Sequence, residues 1–357
     1  MRVAAEHGGI DDAELANLGV DPAHVLDLSV SINPFGPCTA VAQALAHAPY
    51  HRYPDPEARA CRRTMADALA TTPERIAVGN GATELLWGLV GLLARRGRGP
   101  ALLAEPCFGE VRAACRVHGV PVRAIRADRN GNIARDLDAL AAAAREQPPC
   151  LVYLCNPSSP DGAITPIDEV AAFARTLSPL PLVLDESFLS LSDRHADLHV
   201  ALPEHVVRVR SLTKDHGIPG VRVGYALAAP ELVTALSQWR PAWTVGAAAQ
   251  AVCSVALEQH AFLTDSRVRL RGERAALSTS LRDLGLECFP SGAPYLAFPY
   301  PDARALRRHL LREHAIAVRD CNSFGLPDVV RIGVTTAAAR ERLQTALEAV
   351  LAGAETR

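Results

Sequence analysis

Along the middle of the chain, short apolar runs alternate with Ala/Leu-rich stretches whose apolar positions recur at helical spacing. That is the pattern of strands joined by helices in a parallel sheet. The strands it predicts are Ala101–Ala104, Leu151–Cys155, Leu182–Asp185, Val206–Arg210 and Val223–Ala226, with helical segments such as Asp136–Arg145 and Ile167–Thr176 between them. Four of these strands run into polar or turn clusters: EPCFGE, NPSSPDG, DESF and SLTKDHG. In open α/β sheets ligands bind beyond the carboxyl ends of the strands, so the four clusters should converge on one crevice.

The two ends of the chain read differently. Residues Met1–Pro37 form an arm, since SINPFGP carries turn residues rather than a periodic pattern. From about Arg267 a long Arg/Leu/Ala helix is followed by the apolar run Ala293–Phe298, a helix over Ala303–Glu313, the run Val329–Val334 and a closing helix over Ala337–Leu351. These elements predict a small α+β domain. The expected organisation is an arm, 1–37, belonging with the small domain, a large domain, 38–260, and the small domain, 261–357.

Composition narrows the class. A chain of 357 residues exceeds a single core, in keeping with one large domain and a smaller companion. With 49% hydrophobic and 21% charged residues and a formal net charge of −2, nothing in the composition suggests a nucleic-acid binder, an acidic tail or a disordered chain, so the expected partner is a small molecule. The opening MRVAAEHGGIDDAEL lacks the basic and apolar regions of a signal peptide. No apolar run reaches membrane-spanning length, and the expected location is the cytoplasm. The nine cysteines are scattered with no CxxC pair, which predicts buried free thiols rather than disulfides. Neither HExxH nor His-rich spacing occurs, so no metal is expected.

The candidate chemistry lies in SLTKDHGIPGVRVGY, where Ser211, Lys214 and Arg222 sit in a Gly/Pro-punctuated loop after a strand. Taken singly, Lys214 is a surface lysine, Asp185 a helix cap and Asn156 a turn residue. Together they match the needs of pyridoxal 5′-phosphate: an amine to form an imine, an acid for the pyridinium nitrogen, a donor to the phenolate oxygen, and phosphate ligands. Lys214, Asp185, Asn156 and the Ser211/Arg222 pair supply these in turn.

With those residues in place, nearly the whole chain resembles the fold-type I, class I/II aminotransferases, in the branch that contains histidinol-phosphate aminotransferase and threonine-phosphate decarboxylase. HGGIDDAELANLG followed by LDLSVSINPFGP is similar to the decarboxylase's amino-terminal signature, which implies His7 and Asn33 as substrate ligands. HRYPDP resembles the segment whose tyrosine, here Tyr53, reaches the cofactor phosphate of a neighbouring subunit, implying a homodimer with shared sites. VGNGATELL looks like the phosphate-cradling turn, with Gly81, Ala82 and Thr83, and EPCFGEV places Phe108 where a ring stacks on the pyridine. AVRDCNSFGLPDVVRIGV presents Arg319 and Arg331 where the family binds the substrate's anionic group. The implied fold is the aspartate aminotransferase-like one, a large α/β domain with a mixed sheet plus a small α+β domain.

Departures from the family pattern bear on the reaction. Phe188 stands where the aminotransferases of the branch usually have a tyrosine, which favours the decarboxylase side. Ser159 and Asp161 replace the usual Asn and Thr of NPNNPTG. His216 replaces an aromatic two residues after Lys214, which makes it a candidate catalytic group, against the plainer reading of a surface histidine or one lying behind the site. The leading reading is therefore action at Cα of a small anionic amino acid or amino-alcohol phosphate, decarboxylase-like or aminotransferase. A lyase or cyclase of specialised metabolism, motivated by His216 and Ser159, is the alternative, and a non-catalytic binding protein of the same fold is a third.

Overall fold

The computed structural model describes residues 7–127 and 135–355. Residues 1–6 of the expected arm and 356–357 of the expected small domain lie outside the described residues. The strands are β1 (Leu26–Asp27), β2 (Ile76–Gly79), β3 (Ala101–Glu105), β4 (Val122–Arg126), β5 (Leu151–Cys155), β6 (Leu182–Asp185), β7 (Val206–Ser211), β8 (Gly224–Leu227), β9 (Tyr295–Pro299), β10 (Ile316–Ala317), β11 (Arg319–Asp320) and β12 (Val329–Gly333). The helices are α1 (Asp12–Leu18), α2 (Thr39–Ala46), α3 (Arg59–Ala68), α4 (Gly81–Arg96), α5 (Gly109–Val117), α6 (Leu137–Glu146), α7 (Ile167–Leu177), α8 (Leu212–Asp215), α9 (Pro230–Trp239), α10 (Ala247–Ala256), α11 (His260–Asp283), α12 (Ala303–His314) and α13 (Ala337–Glu355).

Seven strands form one sheet in the order β2-β8-β7-β6-β5-β3-β4. Its central strands are buried throughout, and LVYLC and LVLD read as continuous apolar runs because helices cover both faces. On one face Leu85, Leu89 and Leu93 of α4 pack with Val111 of α5 against Leu103 and Tyr153. On the other, Leu140 of α6 and Val170 and Phe173 of α7 cover Leu102, Val152 and Leu184. The sheet is not wholly parallel as the alternation predicted: β8 runs antiparallel to both β7 and β2. The chain leaves β7 through the single turn of α8, too short for a crossover helix, and returns beside the strand it left. Two strands of this sheet do not show in the periodicity. β2 is only four residues long, and β4, at the sheet edge, is half-exposed and carries arginines.

A second body is built by β9, β11, β12, α12, α13 and the C-terminal part of α11. Leu277 and Leu281 of α11 pack with Leu306 and Leu310 of α12 and Leu343 of α13 on Phe298 and Ile332. The sheet order is β11-β12-β9, antiparallel throughout. The amino-terminal residues join this body: β1 pairs in parallel with β10, and Leu15 of α1 packs on Leu311 and Ala317. Asp11 caps α1 by accepting from the N–H groups of Ala13 and Glu14. All nine cysteines are free and seven are buried. Among the described residues no helix is long and apolar enough to cross a membrane, and no cluster of His, Cys, Asp or Glu is placed to hold a metal ion.

Candidate active site

A cavity of about 270 Å³ opens between the carboxyl ends of the parallel strands and the second body. All four turn clusters reach it: Phe108 after β3, Ser159 after β5, Asp185 with Ser187 and Phe188 after β6, and Lys214 after β7. Ala82 and Thr83 line it from the start of α4, and His7, Ser29, Arg319, Phe324 and Arg331 from the opposite side.

Lys214 sits in the one-turn helix α8, with its Nζ 5.2 Å from the centre of the Phe188 ring. Burial lowers its pKa below the ordinary lysine value; Asp185 opposes that shift and Arg222 adds to it. Lys214 is also the only lysine in the chain, every other basic side chain of the Lys/Arg class being arginine. A motif does not carry that signal; the composition does. Asp185 closes β6, where its Oδ2 accepts from the Tyr153 hydroxyl at 2.8 Å and its Oδ1 from the Ser187 N–H at 3.0 Å. Tyr153 was not anticipated as a site residue, because within LVYLC it reads as core. It is fully buried, and burial holds its hydroxyl well above the ordinary phenol pKa, so it remains a donor.

The other predicted residues divide into those in the cavity and those outside it. Gly81 opens the 16-residue α4 at φ 80°, and the cap residue Asn80 makes no side-chain bond to the helix end. A Cβ at Gly81 would lie 2.7 Å from Nη2 of Arg222, so a side chain here would push that guanidinium aside, and the positive φ itself favours glycine. Ser211 lines the cavity at the end of β7. Asn156 is buried with its amide paired to the backbone N–H and C=O of Thr165. Asn33, expected to bind substrate, lies outside the cavity lining. Its amide donates to the Asp215 carbonyl and Ser266 Oγ, both at 2.9 Å, and accepts from the Phe35 N–H. His216 also falls elsewhere, in a second cavity behind α8 with Asp215, its ring stacked 5.7 Å from Phe262. Burial pushes the His216 pKa down to about 4, and pushes Asp215 up to about 7. Tyr53 is 80% exposed and packs against Trp243, ring centres 5.0 Å apart and tilted by 35°, outside the cavity of its own chain.

Arg319 and Arg331, twelve residues apart in sequence, are cross-strand partners in the β11–β12 ladder. Directly paired residues share a face, which brings both guanidinium groups to the same wall. Arg331 is largely buried, with Nη1 donating to Ser159 Oγ at 3.1 Å and Nη2 to the Ser29 carbonyl at 3.2 Å. Its guanidinium lies 5.2 Å from the centre of the Tyr295 ring and 6.0 Å from that of Phe324. Arg319 donates to the His7 carbonyl at 2.6 Å and to Ser323 Oγ. Ser159 thus holds an arginine, and Asp161 accepts from Ser158 Oγ and from Arg135 at 3.2 Å.

These residues fit pyridoxal 5′-phosphate. The start of α4, with no side-chain cap and with Arg222 over its glycine, is an anion site of the kind a phosphate takes. A buried amine of lowered pKa and a strand-end carboxylate with fixed donors complete the set.

Comparison with known proteins agrees. The family described as Aminotransferase class I and II matches residues 23–350. A histidinol-phosphate aminotransferase of Pseudomonas aeruginosa is 30% identical over 359 residues, covering 95% of this chain and 93% of its own. The structure of histidinol-phosphate aminotransferase from Sinorhizobium meliloti in complex with pyridoxal-5′-phosphate superposes with a TM-score of 0.85 at 26% identity, covering 96% of this chain and 94% of the other. L-threonine-O-3-phosphate decarboxylase from Porphyromonas gingivalis gives 0.78 at 26% identity, covering 91% and 98%.

Proposed function

The chain belongs to the class I and II aminotransferase family, and on that premise we propose that it acts at Cα of a small amino acid whose side chain carries a phosphate, as a threonine-phosphate decarboxylase-like enzyme. It is an enzyme of that family, and its cofactor is pyridoxal 5′-phosphate. The observation that carries the proposal is the pairing of Arg319 with Arg331 on the wall that His7 shares, with Lys214 and the α4 anion site also lining the cavity. Two forked guanidinium groups suit a ligand with more than one anionic group.

The α4 N-terminus, Ser211 and Arg222 would hold the cofactor's phosphate, Asp185 its ring nitrogen, and Phe108 one face of its ring. When bound, the cofactor supplies an electron sink for the pair released as a bond at Cα breaks. Lys214, kept toward the neutral amine by burial, moves the proton at Cα. Tyr153 and the Ser187 N–H keep the Asp185 carboxylate aimed as an acceptor. Arg319 and Arg331 orient the substrate's acidic groups and so set which bond at Cα is presented for cleavage. Phe108, Phe188 and Phe324 give the cavity apolar walls that restrict water.

A second reading, transamination of an amino-alcohol phosphate, draws support from the 30% identical Pseudomonas relative. The features that suggested a lyase or cyclase lend it nothing here, since Ser159 serves Arg331 and His216 lines a different cavity. We further propose a homodimer in which the exposed Tyr53 completes the partner subunit's phosphate site.

The test is to add phosphothreonine, plain amino acids and amino-alcohol phosphates to the holoenzyme and analyse products by mass. CO₂ release from phosphothreonine is expected. Conversion of the cofactor to its pyridoxamine form by amino-alcohol phosphates, with no CO₂, selects the second reading instead.

A further inference from the structure

His7 and Gly8 line one wall of the cavity, and the segment His7–Gly9 is held at three points. The His7 carbonyl accepts from Arg319 Nη1 at 2.6 Å, the His7 ring meets Glu110 through Nε2, and the Gly9 N–H donates to Ser29 Oγ at 2.7 Å. Gly8 passes so close to Ser29 that a Cβ would lie 2.4 Å from its carbonyl oxygen.

Glu110 has no part in the chemistry described so far. It stands in the first turn of α5, 8% exposed, and its second carboxylate oxygen accepts from Trp87 Nε1 at 2.5 Å. A carboxylate this buried is costly unless its oxygens are matched, and here one is matched by an indole and the other by an imidazole. With Nε2 of His7 held by Glu110, Nδ1 is the ring nitrogen left to meet a ligand in the cavity. A carboxylate behind an imidazole fixes which nitrogen faces the ligand and compensates a positive charge on the ring.

We propose that Glu110 is a positioning residue which, through His7, adds a third anion-binding group to Arg319 and Arg331 and thereby sets the preference for a phosphorylated over an unphosphorylated amino acid. The proposal rests on the substrate class given above and names the residues that enforce it. The charges support it. A phosphate ester carries about −1.5 to −2 at neutral pH and the α-carboxylate a further unit, more than two guanidinium groups balance. The His7 ring, held by Glu110, stands on the same wall as both arginines.

The experiment uses the holoenzyme and follows the cofactor's visible absorbance as phosphothreonine or threonine is added, giving a dissociation constant for each. It compares the wild type with Glu110→Gln, His7→Gln and the double variant. Glu110→Gln keeps an oxygen for Trp87, removes the charge and replaces the oxygen facing His7 by an amide donor. Each single change should lower the preference for the phosphorylated ligand by roughly tenfold, the worth of one charge-assisted hydrogen bond. The double variant should lose no more than either single one, because both act through one group. Trp87→Phe, which removes only the brace behind Glu110, should lower the preference by less and leave the spectrum of the ligand-free holoenzyme unchanged. Losses that multiply in the double variant, or an unchanged preference in Glu110→Gln, overturn the proposal. A wild type that binds both amino acids equally refutes the substrate class instead; the coupling of positions 7 and 110 is then read from competition by inorganic phosphate, where the same non-additivity is expected.

Discussion

Replacing Arg331 by lysine separates substrate binding from cofactor binding. Arg331 is 8% exposed, its two terminal nitrogens reach Ser159 Oγ and the Ser29 carbonyl, and its guanidinium lies near the rings of Tyr295 and Phe324. Lysine keeps the charge but has no fork, so an anion held through two nitrogens is held through one. A hydrogen bond to a charged group is worth about 1.5–3 kcal/mol, and losing one should cost about 2 kcal/mol in kcat/KM, or about 30-fold. Because Arg331 lies on β12 rather than at the α4 anion site, the loss should appear in KM, with the visible spectrum of the holoenzyme unchanged. Steady-state kinetics over a range of substrate concentrations, with spectra of the same preparations, reads both. An Arg331→Lys enzyme that sheds its cofactor while keeping its KM would place Arg331 among the cofactor phosphate ligands and refute the map of the site.

Other consequences follow from burial and exposure. His216, whose pKa burial lowers to about 4 from an ordinary 6.5, binds its proton more readily in the unfolded chain, so it costs stability as pH falls from 6.5 toward 4. His216→Phe, which keeps a ring against Phe262, should therefore raise Tm relative to wild type more at pH 5 than at pH 8; an equal shift at both would show that the imidazole does not titrate as its burial requires. Asp215 shifts in the opposite sense, up to about 7, and stays in both proteins, so the difference between them isolates His216. Mixing Lys214→Ala chains with Tyr53→Ala chains should restore part of the activity that each lacks alone, through hybrid dimers holding one intact site. A fully active monomer at assay concentration would contradict the shared site.

The strand-end residues were legible because the sheet dictates them. Once Leu182–Asp185 is recognised as a buried strand, its closing carboxylate must emerge at the ligand side, and Ser211 and Lys214 follow from β7 in the same way. The orientation of polar side chains was not legible. Asn33 has a type suited to substrate, yet its amide faces Asp215 and Ser266, and nothing in SINPFGP distinguishes those directions. The alignment of Arg319 with Arg331 depends on the register of an antiparallel pair, which a spacing of twelve with an irregular loop between cannot specify. Glu110 was hidden for another reason: an acidic residue in the first turn of a helix is accounted for by the helix dipole, and only the folded chain shows His7 and Trp87 against it. The lone lysine, by contrast, needed only counting.

That count makes the central claim directly measurable. With a single lysine in the chain, borohydride reduction of the yellow holoenzyme, followed by digestion and mass analysis, leaves one side-chain amine that can retain the cofactor. The account predicts that reduction bleaches the visible band and fixes one cofactor per chain on the peptide containing Lys214, and that Lys214→Ala protein carries neither the band nor the adduct. An unmodified Lys214 peptide from reduced, active enzyme, or an adduct found at the amino terminus instead, would contradict it.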